Sequence, residues 1–153
     1  MKKIAIALII CFALIAAPSP FLYANAGNGS FAHYSGWQNL PEKEKLCFVL
    51  GYGYGAQNIS VSLTPPLNFV RQIDLFFENG DFQIFPVEDL FRASNWLFLG
   101  YPEEKINTYL QLKATAISGQ KISIEELHLM ETLEKEAEDL EKEITEKLEN
   151  ANN

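Results

Sequence analysis

The chain has 153 residues, with 20 acids against 12 bases, a formal charge of −8 and 48% hydrophobic residues. That length allows one domain with a modest core. Eleven of the acids and three Lys fall between Glu125 and Asn153, so the acidity belongs to a tail. The stripe of Lys and Arg that nucleic acid or anionic lipid would require is absent.

Met1-Lys2-Lys3 precedes an uninterrupted apolar run from Ile4 to Ala17, broken by Pro18 and Pro20. This pattern predicts a signal peptide over residues 1–26. As a helix the run spans about 21 Å, short of the roughly 30 Å of bilayer hydrocarbon, so no permanent membrane span is expected. Ala24-Asn25-Ala26 is a small-x-small cleavage site, and cutting after Ala26 delivers a periplasmic or secreted product that begins at Gly27. Cys11 follows Ile9-Ile10, where lipidation calls for small residues, so it is not read as a lipid anchor. Cleavage leaves Cys47 as the only cysteine and excludes an intrachain disulfide. Stability then rests on a core fed by sixteen aromatics between Gly27 and Ile124.

Residues 27–40, rich in Gly, Ser and Asn, read as a loose lead-in whose Phe31, Tyr34 and Trp37 dock on the core. A helical domain is expected over 41–122. Asn39 caps its first helix, with Pro41 in the first turn and Glu42 completing a capping box, and Leu46, Val49, Leu50, Gly53 and Tyr54 follow helical spacing. Pro65 starts a second helix with Leu67, Val70, Ile73 and Phe77 as its stripe and Asn79-Gly80 as a left-handed stop. Pro86 starts a third, with Val87, Leu90, Phe91, Ser94, Leu97 and Phe98 on one side, ending at Gly100. Pro102-Glu103-Glu104 starts a fourth, whose Ile106, Tyr109, Leu110, Lys113 and Ile117 run to Gly119. Successive Pro starts and Gly stops predict an all-α fold, a small bundle of about four short helices.

Ser123 and Glu126 form another capping box, opening an acidic amphipathic helix that runs to about Glu149 and frays through residue 153. Leu127, Met130, Leu133, Ala137, Leu140, Ile144 and Leu148 make its apolar stripe. Glu131 with Lys135, Glu138 with Lys142 and Glu143 with Lys147 are spaced as pairs one turn apart. The stripe either packs on the domain or forms a coiled-coil seam. Eleven acids against three bases repel a second copy, which favours a monomer.

The inventory for chemistry is thin. His33, His128 and Cys47 lie far apart, with no C-x-x-C or H-E-x-x-H spacing, so no catalytic residue, metal or cofactor is assigned. Glu88-Asp89 and Glu103-Glu104 are acids of first helical turns, and Glu88 stands one turn before Arg92. Gly51, Gly53 and Ala56 match a dinucleotide-binding spacing, yet too few residues follow before Pro65-Pro66 for the crossover helix which that fold needs. Gly51 and Gly55, one turn apart, instead predict a flat patch for close helix packing or binding, with Tyr52 and Tyr54 at its flanks. Phe76, Phe82, Phe85 and Trp96 are candidates for an exposed partner patch.

Cys47 followed by Gly51-Tyr52-x-x-Gly55, then an amphipathic stretch from Leu67 to Phe77 and another after Pro86, resembles the small periplasmic immunity proteins that protect type VI-secreting bacteria from their own peptidoglycan amidases. Trp37, Glu42 to Lys45, Asp74 to Phe77 and Ile84 to Val87 are also similar to a broader group of short exported helical bacterial proteins without an assigned task. The resemblance spans about Trp37 to Phe98 and implies a helical exported fold with a periplasmic protein as partner. Immunity proteins of this kind carry additional cysteines for a disulfide, where this chain has Cys47 alone after cleavage. The expectation is an exported, non-catalytic protein-interaction module. An inhibitor of a cell-wall hydrolase and a small exported enzyme are the alternatives.

Overall fold

The computed structural model describes residues 33–55 and 63–151. The expected signal peptide and cleavage site, and Phe31, lie outside the described residues. The described chain is all-helical, as the spacing predicts: α1 (Tyr34–Gln38), α2 (Glu42–Gly55), α3 (Pro66–Glu78), a 3-10 turn (Gly80–Phe82), α4 (Val87–Phe98), α5 (Glu103–Ile117) and α6 (Ile124–Ala151). No strand occurs among these residues, only an isolated bridge between His33 and Pro86.

One local device starts four of the helices. Pro41, Pro65, Pro86 and Pro102 each stand just before a helix, and each carbonyl accepts a first-turn N–H, from Lys45 (3.1 Å), Asn68 (2.8 Å), Asp89 (3.1 Å) and Ile106 (3.1 Å). Proline fits there because its fixed φ suits the turn and its missing N–H is not needed. Gly100 (φ 92) and Gly119 (φ 75) end α4 and α5 in the left-handed region, as expected. Around Gly100 the Tyr101 N–H reaches the Trp96 carbonyl at 2.9 Å and the Gly100 N–H reaches Leu97 at 3.0 Å. This is the double bond pattern of a Schellman stop, and the side chains of Trp96 and Tyr101 close over it, 6.5 Å between ring centroids.

Two expected caps differ. Asn79 is extended and its side chain accepts the Asp81 N–H at 3.2 Å, so α3 passes into the 3-10 turn through an Asx turn rather than a left-handed Gly80. Asn39 closes α1 instead of opening α2: its amide donates to the Ser35 carbonyl at 2.7 Å. The lead-in is therefore partly helical, and tertiary contacts hold it. Trp37 is fully buried, edge-on to Phe48 at 5.7 Å, and Tyr34 packs on Phe77 at 5.3 Å.

α3 packs between α2 and α4, the 3-10 turn reaches α5, and α6 lies along α5. The core between them is aromatic. Phe69 stacks on Phe91 at 4.9 Å and meets the edge of Phe98 at 4.7 Å, while Trp96 meets Tyr109 at 5.3 Å. Each buried Phe contributes about 1.5–3 kcal/mol by leaving water, and each ring pair about 0.5–1.5 kcal/mol more. That concentration lets a chain of this size close a core without a cross-link.

The α6 capping box forms as expected, with the Ser123 N–H on Glu126 (2.8 Å) and the Glu126 N–H on Ser123 Oγ (3.1 Å). These bonds hold the Glu126 carboxyl below its ordinary pKa. The apolar stripe packs on the domain, but its centre is Leu133 and Ala137, whereas Leu127 is 40% exposed. Of the three expected pairs along the helix, Glu143 with Lys147 is present. Glu138 turns instead to Arg92, and Arg92 also takes Glu134 rather than Glu88.

Candidate functional site

Helix α2 turns one side to the core and the opposite side outward. Lys45, Val49 and Gly53, one turn apart, are buried. On the other side Lys43, Cys47, Gly51, Tyr54 and Gly55 are exposed, with Tyr54 at 63%. Tyr54 thus lies off the buried stripe and beside the glycines. A partly buried salt bridge sets the rotation. Lys45 Nζ donates to Asp74 Oδ1 at 2.8 Å, Trp37 Nε1 donates to the same oxygen at 2.7 Å, and the ammonium sits 5.2 Å above the Trp37 ring. One carboxylate on α3 ties α1 and α2 together. A lysine in step with Val49 and Gly53 is the one-dimensional trace of this arrangement, and a reading that follows only apolar residues passes over it.

The packing reading of Gly51 and Gly55 is corrected here. A Cβ built on either meets no described atom within 4 Å, so no described helix approaches them. Neither has a positive φ, so conformation does not demand glycine. Gly53, between them, is the buried one. Tyr52 stands at the shoulder of this face, stacked on Phe48 at 5.7 Å and edge-on to Phe91 at 5.1 Å. The result is a low track, Cys47 to Gly51 to Gly55, bordered by one free tyrosine and one anchored tyrosine.

The aromatic partner patch is also corrected. Phe76, Phe82, Phe85 and Trp96 all lie in the core, Phe76 being the most exposed at 6%. Phe82 sits between Phe76 (6.3 Å) and Phe85 (5.9 Å), which turns the connection after α3 inward. Trp96 is covered by the Arg92 guanidinium at 4.8 Å. A core without a disulfide gains more from burying these rings than a surface gains from showing them.

No group of three His, Cys, Asp or Glu among the described residues is placed to hold a metal ion. His33, Cys47 and His128 are exposed on three separate elements, and no hydrogen bond joins their side chains. The glycine spacing once compared with a dinucleotide loop lies within a helix as far as Gly55, and Ala56 falls outside the described residues. A shallow open groove of about 390 Å³ runs between α5 and α6, lined by Glu104, Lys105, Thr108, Leu129 and Leu133. No helix among the described residues is long and apolar enough to cross a membrane. No family model matches the chain, and neither a curated protein nor a solved structure matches it.

Proposed function

We propose that this chain is an exported, non-catalytic protein-interaction module that binds its partner on the outward face of α2. The observation that carries the reading is the glycine track. Glycine in a helix interior costs about 1 kcal/mol against alanine, and at Gly51 no described residue packs on the position and no positive φ demands glycine, so nothing described offsets that cost. A surface kept flat at such a cost suits the close approach of another chain, with Tyr54 and Tyr52 as the aromatic anchors that interfaces favour. Export rests on the pattern of residues 1–26. The resemblance to immunity proteins is carried by the same Gly-Tyr-x-x-Gly residues and names a partner class, a cell-wall hydrolase such as a peptidoglycan amidase.

The test is site-specific photocrosslinking in intact cells. A crosslinker at Tyr54 is expected to capture one exported protein, and the same group at Glu131, on the exposed side of α6, is not. Loss of the Tyr54 adduct on Gly51→Leu, with the melting temperature not lowered, supports the face. Equal capture from both positions, or none from Tyr54, overturns it. If the captured protein is a cell-wall hydrolase, adding the purified chain to that enzyme decides whether binding inhibits it.

A further inference from the structure

Helix α6 is held by charge as well as by apolar contact. Of its 28 residues only Leu133 and Ala137 are buried, with Met130 and Leu140 partly covered. Around them Arg92 pairs with Glu134 at 2.9 Å and with Glu138, and Lys105 donates to Glu136 at 2.7 Å. Asn95 donates to Glu141 at 2.9 Å, and the Tyr109 hydroxyl to Glu134 at 3.2 Å. The Tyr101 hydroxyl reaches both the Leu133 carbonyl (3.0 Å) and Glu136 (3.1 Å).

The cations lie on rings. Arg92 covers Trp96 at 4.8 Å, Lys105 covers Tyr101 at 5.7 Å, and Lys113, held by Asp89 at 3.0 Å, covers Tyr109 at 5.5 Å. The face formed by α4 and α5 is therefore a layer of aromatic rings topped by positive charge, and α6 brings carboxylates to it. The paired side chains of Arg92, Lys105, Glu134, Glu136 and Glu138 are 33% to 53% exposed, so salt reaches them.

A second feature makes the helix separable. No Gly or Pro interrupts Ile124 to Ala151, the capping box satisfies its first turn, and its length is well beyond the roughly 12–15 residues at which isolated helices begin to hold. Its link to α5 is a short, mostly exposed connection that turns at Gly119, φ 75.

We propose that α6 is a displaceable arm, and that the α4–α5 face beneath it is a recognition surface for an acidic amphipathic helix of a partner protein. The arm is the resting occupant of that surface. A competing helix would present carboxylates at the spacing of Glu134, Glu138 and Glu141 beside an apolar pair equivalent to Leu133 and Ala137. Departure of the arm leaves Arg92 and Lys105 without their carboxylates over Trp96 and Tyr101, the combination of Arg and aromatic residues that interfaces select. This surface is separate from the α2 face, and neither reading depends on the other.

Hydrogen exchange on the full chain tests the arm, and a labelled peptide matching Ile124–Ala151 tests the surface. Raising salt from about 0.1 M to about 1 M is expected to speed exchange in α6 about tenfold through screening of its ion pairs, while α3 and α4 keep their rates. The double variant Glu134→Gln/Glu138→Gln should open the arm at low salt and take up the peptide, which the unaltered chain binds poorly. Leu133→Ala, which opens the arm by removing its apolar anchor, should take up the peptide too. Exchange of α6 only in step with α3 and α4 overturns the arm. An open α6 with no peptide bound overturns the surface, and a dimer of the opened chain that excludes the peptide assigns the surface to a second copy and overturns the partner reading.

Discussion

Gly51 is exposed in the middle of a helix, where alanine is the better residue by about 1 kcal/mol. Gly51→Ala is therefore expected to raise stability by roughly 0.5–1 kcal/mol, seen as a higher midpoint in urea, with partner binding weakened in the same variant. A lower midpoint would show that a side chain is not tolerated there. Asp74 has the opposite character. It accepts from Trp37 and Lys45 together, and Lys45 has a side chain only 11% exposed. Asp74→Ala leaves both donors unmatched, and because Asp74 itself is 37% exposed the expected cost is discounted to about 1–3 kcal/mol. Asp74→Asn with Lys45→Met keeps an acceptor for Trp37 and removes the charge, so the pair should cost less than Asp74→Ala alone. Thermal melts of the three proteins check the order.

At the scale of elements, α6 is the part whose attachment depends on protonation. Burial, and the bond to Glu136, push the Tyr101 phenol up to about 12. A raised phenol stabilises the docked helix fully below about pH 10, the ordinary tyrosine value, and that contribution is lost as pH rises through about 12. Glu136 is held below its ordinary range by the bonds from Lys105 and Tyr101, so its contribution is present above about pH 4.3 and is lost only as pH falls further, through its depressed value. Circular dichroism and exchange in α6 should change at both extremes, and Tyr101→Phe should abolish the alkaline step while leaving the acid one. An alkaline step that survives Tyr101→Phe would place its origin elsewhere, for instance at Tyr109, whose phenol burial also raises.

For the whole molecule, the helices and most of their ends were legible because their signals are local. Pro65, Pro86 and Pro102 mark starts, Gly100 and Gly119 mark stops, and Ser123 with Glu126 marks a cap, each acting within a few residues of itself. What was not legible depends on partners distant in sequence. The five residues of α1 have no helical signal of their own strength and are held by Trp37 against Asp74, 37 positions on. Tyr54 faces outward because Lys45 is drawn to Asp74, and Glu138 leaves Lys142 because Arg92 lies 46 positions away. At the candidate site the exposure of Gly51 and Gly55 and the burial of Phe76, Phe82, Phe85 and Trp96 were not legible, because whether another element lies over a residue is a fact of tertiary packing.

The position of Cys47 on the outward side of α2 turns the protein into its own reporter. It is exposed, one turn from Gly51 and about 6 Å along the helix axis. Cleavage after Ala26, expected from the sequence alone, would take Cys11 with it and leave this thiol alone in the chain. A small environment-sensitive dye attached there would sit at the edge of the proposed contact without any substitution, and its emission should shift when the α2 face is covered. A bulky thiol-reactive polymer at the same atom should block that contact while leaving the docked α6 untouched. Chemistry on one sulfur thus separates the two surfaces, in a protein otherwise unaltered.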